Sequence, residues 1–410
     1  MPGTGYPQAE VRLIARLPLR RLGALAVDYL GSGGLARRGR MMSRAEELAE
    51  KERRVRQLLE NKGLKALLLK RHANFSWMTC GGLNLVGIAT DLGGTSLLIT
   101  GDSKYLLANN IEAPRMIGEE AVEQQGFSLE TFPWYADRES ALVKELAGEG
   151  RIGCDISYPN TLTMPEEIAR LRYSLTSEEQ SRYRWLGERV TLALEQTLME
   201  VRPGEKECEV VGRLCAELWK DRIDPVVFMA AADVRIARFR HPIPTERGVE
   251  RFLMVSVNAR KGGLIVCLTR FVHFGKVPPA LQKQYEDNVF VDCTFMAHTR
   301  PGTAVREVLQ KGLDAYRDRG FPEDWKLHHQ GGAIGYQPRD YRVTPNTPDI
   351  VQEGQAFCWN PSITGTKSED TILATRQGPE MVTRPILYPT LSMEVGGIQF
   401  VRPAILEKEQ

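Results

Sequence analysis

Four absences narrow the reading of this chain before any motif is considered. No run of about 18 apolar residues occurs anywhere in it, so no transmembrane helix and no membrane partner are expected. The seven cysteines (80, 154, 208, 215, 267, 293 and 358) are scattered, odd in number and form no CxxC pair. That argues against a disulfide framework and for a reducing, cytoplasmic setting. Charge of one sign is not in excess: the formal net charge is +2, so no nucleic-acid or acidic-membrane partner is expected. The first residues also lack the clean apolar core and small-residue cleavage site of a signal peptide.

What remains is a chain of 410 residues with 42% apolar and 26% charged residues, ordinary for a globular protein with room for two or three domains. Residues 1–41 differ from the rest. They hold seven arginines against Glu10 and Asp28, and no lysine. The readings open for them are a disordered extension, translated sequence upstream of a start at Met41 or Met42, and a transit peptide. Ser43 followed by Glu46 then predicts a capped helix that stops at Gly63. To about residue 165, short apolar strands alternate with helical stretches. Strands are predicted at 64–70, 74–82 and 150–156, a hairpin at 94–109 and a helix at 138–147, giving an α/β domain with a mixed sheet. His72 and Cys80 are isolated there and read as structural.

Helices dominate about 165–222, with Thr176 and Glu179 as a second capping box and a stop at Arg202-Pro203-Gly204. Strands resume beyond Asp224, and 252–275 reads as an apolar hairpin. A helix near Thr303 ends at Gly320. The order of elements in 176–275 and 300–375 is alike, an internal pseudo-repeat without repeated residues. The stretch 328–369 draws most attention. It holds HHQGGAIGYQPRD, GQAFCWNP and KSEDTILAT: a Gly-rich turn, an apolar strand and a strand with an acidic pair.

These segments resemble the pita-bread hydrolases, comprising aminopeptidase P, prolidase, methionine aminopeptidase and creatinase. The resemblance rests on six segments in family order, among them LRYSLTSEEQSRYRWLGERVTLALEQTLMEVRPGEKECEV, RPGTAVREV, QGGAIGY, EGQAFCWNP and SEDTILAT, and covers about residues 43–385. It implies an α/β (α+β) chain: a creatinase-like N-terminal domain (42–165) followed by a pita-bread domain (166–410), with 1–41 outside both. It also implies a homodimer.

Active metallopeptidases of this fold hold two divalent metals with two Asp, one His and two Glu, which generate a nucleophilic water. Position by position, the resemblance places Ser256 and Cys267 where the two Asp belong, Gly332 at the His and Asn360 at the first Glu. Glu369 stands at the second Glu. One ligand of five is kept, so no two-metal centre is expected; a residual site through Cys267, Glu369 and a nearby His stays open. His241 and His328 fall on the family's substrate-pocket histidines, a third such position falls on Arg339, and Lys367 replaces a basic residue. His329 is undecided; His72, His273 and His298 read as structural.

Three functions follow from the resemblance. One is a metal-independent, creatinase-like hydrolase of a C–N bond in a small amino-acid-like molecule. There His241 moves a proton, Glu369 orients it or a water, and Cys267 is either a nucleophile or a packed core residue. His328 and Arg339 would grip a substrate carboxylate, with Asn360, Ser256 and Lys367 as further contacts. The second is a non-catalytic protein that binds a ligand or partner through the same pocket. The third is a metal-dependent (Mn, Co or Zn) Xaa-Pro peptidase acting on a short peptide.

Overall fold

Residues 42–136 and 138–409 are described by the computed structural model; the extension expected at 1–41 lies outside the described residues. The first capping box is present. Ser43 Oγ accepts from Glu46 N, Glu46 reaches back to Ser43 N, and the helix Arg44–Lys62 ends on Gly63 in a left-handed conformation. This helix covers a six-stranded sheet made of β1 (Ala66–Arg71), β2 (Leu92–Thr100), β3 (Lys104–Asn109), β4 (Ser128–Phe132), β5 (Ile152–Cys154) and β6 (Leu162–Thr163), in the order β4-β3-β2-β1-β5-β6. The sheet is mixed: β1–β2 and β2–β3 are antiparallel, whereas β3–β4, β1–β5 and β5–β6 are parallel.

The strand expected at 74–82 is instead a helix, His72–Met78, with every residue buried. A short apolar run does not distinguish a strand from a buried helical turn by periodicity. Here the local bonds decide: Thr79 N and Thr79 Oγ1 both donate to Phe75 O, closing the last turn within the segment.

The rest of the chain is built from two similar blocks. The first runs helix Ser177–Glu200, helix Glu207–Lys220, then antiparallel β7 (Asp224–Ala232), β8 (Phe252–Lys261) and β9 (Leu264–Phe274). The Thr176–Glu179 capping box starts it as expected. The second runs helix Pro279–His298, helix Val305–Asp318, then β10 (Gly331–Ile334), β11 (Tyr341–Arg342), β12 (Gln355–Trp359), β13 (Asp370–Thr375) and β14 (Gly378–Met381), in the order β11-β10-β12-β13-β14. The second block thus begins at Pro279, earlier than the sequence reading placed it.

The repeat also has a residue-level signature. Arg-Pro-Gly precedes the second helix in both blocks, at 202–204 and 300–302. Gly204 N donates to Val249 O at 2.7 Å, and Gly302 N to Val351 O at 2.9 Å. Isolated bridges Lys206–Gly248 and Ala304–Ile350 match as well. A hairpin of β15 (Thr390–Val395) and β16 (Ile398–Pro403) follows, and β17 (Leu406–Lys408) adds in parallel to the edge at β9. Among the described residues no helix is long and apolar enough to cross a membrane.

The seam between the two blocks positions the site. Thr269 N on β9 donates to Glu369 O at 3.0 Å. Cys267 N donates to Thr371 Oγ1, which donates in turn to Cys267 O. Consecutive residues on an extended chain point to opposite sides, so Glu369 and Asp370 part company. Asp370 joins a fully buried network with Arg270, Arg402, Asp292 and Glu195, which pins the seam, while Glu369 turns towards the pocket.

Candidate functional site

Glu369 is 3% exposed, and both of its oxygens are engaged. Oε2 meets Lys367 Nζ at 2.7 Å and accepts from Thr269 Oγ1 at 2.8 Å. Oε1 meets Arg339 Nη2 at 3.3 Å and Cys358 Sγ at 3.6 Å. Burial pushes this carboxyl up, but Lys367 and Arg339 outweigh it and hold the pKa at about 2. It is therefore an anion throughout the neutral range, and no hydrogen bond joins it to His241 among the described residues. Of the two roles expected of it, orienting His241 or a water, the first has no direct bond here; its partners are cations, a hydroxyl and a thiol.

Ser256 is fully buried and bonds Thr269 Oγ1 at 2.6 Å. Thr269 has a single hydroxyl proton and gives it to Glu369, so Ser256 must donate to Thr269. Its proton is spent, which removes the expected contact from Ser256 to a ligand. Arg339 is also turned inward. Its Nη1 donates to Cys267 Sγ at 3.6 Å and to its own neighbour Pro338 O, and its Nη2 goes to Glu369. In this arrangement both terminal nitrogens are engaged within the protein and only Nε is without a partner. Asp340 does not pair with Arg339; it accepts from Arg172 at 2.6 Å.

Cys267 is fully buried. Burial pushes its thiol up, but the Cys358 thiol and the Arg339 guanidinium prevail and lower it. The thiolate is thus favoured by Cys358 and a guanidinium, and its burial suits a packed residue better than a nucleophile. Cys267, Cys358 and Glu369 place ligand atoms within 4.8 Å of one another. Asn360, 2% exposed, leaves Oδ1 without a partner.

On the other side of Lys367 three histidines converge. His328 Nε2 lies 3.0 Å from His241 Nε2, and the rings of His328 and His329 are 4.4 Å apart. His241 is the exposed member; His328 is 8% exposed with Nδ1 unpartnered. The loop of His241 is tied down by Arg240, which donates to Thr364 Oγ1. All three imidazoles are held neutral at pH 7: burial, then Lys367, lowers His328 to about 2 and depresses His241, while burial, then Arg339, lowers His329 to about 3. The remaining histidines are structural, as expected: His72 bonds Asn84, His273 bonds Gly275 O and His298 bonds Thr294 O.

Gly332 has φ +151°, and a Cβ there would meet Tyr341 O at 2.3 Å. Strand β11, paired to Gly332 through Arg342, fills the space a side chain would need.

A family model for the creatinase/prolidase N-terminal domain matches residues 52–179, and one for metallopeptidase family M24 matches residues 181–376. The chain belongs to the pita-bread family. That places it among hydrolases of the creatinase and Xaa-Pro peptidase type. Its pita-bread relatives include an Xaa-Pro dipeptidase of Pyrococcus horikoshii, 20% identical over 359 residues that cover 82% of this chain and 97% of that protein. Among solved structures, an Xaa-Pro dipeptidase from Bacillus anthracis superposes with TM-score 0.70 at 18% identity, covering 88% of this chain and all of the other. The N-terminal domain of FACT complex subunit SPT16 from chickpea gives 0.62 at 13% identity, covering 83% and 97%. The pita-bread fold is therefore shared by dipeptidases and by a domain of a FACT complex subunit.

Two pocket residues escaped the sequence reading. Cys358 sits in an apolar FCW run and looks like core. Thr269 served only to align a motif, although its place two residues after Cys267 on a strand puts both on one face.

Proposed function

We propose that this protein is a metal-independent hydrolase of a C–N bond in a small, amino-acid-like carboxylate. The observation that carries the reading is the placement of Lys367 and Arg339 on the two oxygens of Glu369. The donor set does not fit a pair of hard divalent ions. Such ions want several fixed carboxylates, whereas four of the five family positions are Ser256, Cys267, Gly332 and Asn360. An ion on Glu369 would also sit against an ammonium and a guanidinium. Those cations supply at the same spot the positive charge that metals would bring.

In this reading His241 does the proton work. It is exposed, neutral at pH 7 and bonded to His328, so it takes a proton from an attacking water and returns it to the leaving nitrogen. His328 fixes the orientation of the ring. Lys367 stabilises charge developing on the scissile carbonyl and holds the substrate carboxylate together with His328. Asn360 Oδ1 accepts an N–H of the substrate. Substrate contact thus passes from Ser256 and Arg339 to Lys367, His328 and Asn360.

The test is hydrolysis of a panel of N-acyl and N-carbamoyl amino acids by chelator-treated protein with its metal content measured. Turnover by metal-free wild type, lost in His241→Ala while ligand-induced thermal stabilisation persists, is expected. Binding without turnover by any panel member favours the ligand-binding reading, which the locked Glu369 also suits. Turnover only with Mn, Co or Zn restored favours the Xaa-Pro peptidase that the named relatives suggest. A homodimer is proposed alongside, to be checked by sedimentation.

A further inference from the structure

A cleft of about 470 Å³ shares no residue with the Glu369 pocket. Its floor lies where the N-terminal sheet domain meets the first block: a Cβ on Gly81 would sit 3.5 Å from Gly262 Cα, in the turn between β8 and β9. Its walls carry four cations, Arg182, Arg222, Arg260 and Lys261, and one carboxylate, Asp224. Arg182 is balanced from outside the cleft by two bonds to Glu47, whose other cation, Lys51, also has Glu179. Asp224 is shared: Arg222 bonds one of its oxygens and Arg260 the other, the latter at 3.4 Å. Lys261 Nζ donates to a carbonyl, Asp221 O, at 2.7 Å, and the Asp221 carboxylate is taken by Arg189. Asp91, which also acts on Arg260, is paired with Arg71. Among the described residues, Arg222, Arg260 and Lys261 thus stand against one anion, and two positive charges are uncompensated. Arg260 is 6% exposed with Nε unpartnered, and burial lowers its basicity more than Asp224 restores it. The cleft also has an apolar wall of Leu83 and the exposed Trp185, whose ring centroid lies 5.7 Å from Lys261 Nζ.

We propose that this cleft binds a nucleoside monophosphate, with the phosphate on Arg260, Lys261 and Arg222 and the base against Trp185. A phosphomonoester carries about −1.5 to −2 charge at pH 7 and three strong acceptor oxygens. It therefore matches the excess of two charges, of which a single carboxylate would leave half. Guanidinium and ammonium groups bond phosphate oxygens with charge assistance, and the shielded Arg260 gains more from this than a cation in open water. An exposed indole beside the cations offers a flat face on which a base stacks. The volume falls within the roughly 300–1,000 Å³ of small-molecule sites. The site is independent of the hydrolase reading, because none of its residues takes part in the chemistry assigned to the Glu369 pocket.

The experiment is calorimetric titration of the full chain with adenosine monophosphate, adenosine and inorganic phosphate. Wild type is expected to bind the monophosphate about tenfold tighter, or more, than adenosine, and tighter than inorganic phosphate. Arg260→Gln, and independently Lys261→Met on the partly exposed side chain, should each weaken the monophosphate about tenfold and leave adenosine unchanged. Trp185→Ala should weaken the monophosphate and adenosine about fivefold or more and leave inorganic phosphate unchanged. Arg184→Ala, on the same helix but paired with Glu380, should change none of the three. A monophosphate that binds no tighter than adenosine or than inorganic phosphate would overturn the proposal. So would an affinity that survives both Lys261→Met and Trp185→Ala, or no binding at millimolar concentration. These outcomes are read apart from His241-dependent turnover, so the two readings fail separately.

Discussion

Replacing Glu369 by Gln leaves Lys367 and Arg339 buried with no counter-ion. Breaking a buried ion pair by removing one partner costs about 3–5 kcal/mol, and the carboxyl itself points to a similar size. Holding it at about 2 instead of 4.5 corresponds to roughly 3 kcal/mol in favour of the ionised folded form. The folded pKa is depressed, so this contribution is full above about pH 4.5 and is lost as pH falls towards 2. Lys367→Met removes the nearer cation; the folded pKa of Glu369 then rises and the acid loss begins at higher pH. In the double variant, Lys367→Met with Glu369→Gln, only Arg339 is left without its partner. The double should therefore be less destabilised than the sum of the singles, by about 1–3 kcal/mol. Denaturant unfolding at pH 7 and pH 4 measures this, with Trp359, buried and stacked on Phe295 at 4.7 Å, as a reporter near the site. A Glu369→Gln variant as stable as wild type, or additive singles, would refute the idea that these side chains balance one another's charge.

Three further outcomes are expected. His241→Ala should lower turnover about 10²–10⁴-fold with little change in stability, because His241 is exposed; an unchanged rate would remove it from the chemistry. Elemental analysis of purified protein should find Mn, Co and Zn well below one per chain, and chelation should leave the melting temperature unmoved; a stoichiometric ion would overturn the misfit argued from the donor set. Gly332→His should not restore a metal site. Its Cβ meets Tyr341 O at 2.3 Å in a backbone conformation that side chains rarely adopt, so loss of stability by 1–3 kcal/mol or more is expected, and tight Mn or Co binding by this variant would show the space to be open.

Much of the fold was legible because its signals are local. Ser43 with Glu46 and Thr176 with Glu179 announce helix starts, and both form the reciprocal bonds they promise. The hairpin 252–275 is largely apolar because β8 and β9 are buried on both faces. The positions of the site were legible through motif register. Their orientation was not. Arg339 and Asp340 are adjacent in sequence, yet the two side chains serve different partners across different elements. Ser256 looked like a free donor because nothing in its own strand reveals that Thr269, thirteen residues away, takes its proton. Which charge faces which is settled by the seam between β9 and β13, a contact about a hundred residues apart in the chain.

Gly332 ties these features together. A side chain there would need the volume now filled by Tyr341 and the backbone of β11. The absence of the family's metal-binding imidazole is thus built into the backbone and not only into side-chain identity. Within the pocket Lys367 and Arg339 occupy the oxygens of the retained Glu369. In the proposed reading these two cations stand in for the positive charge of a metal centre. Divalent metals are labile and chelatable, whereas guanidinium and ammonium groups are not. The proposed chemistry should accordingly tolerate chelators.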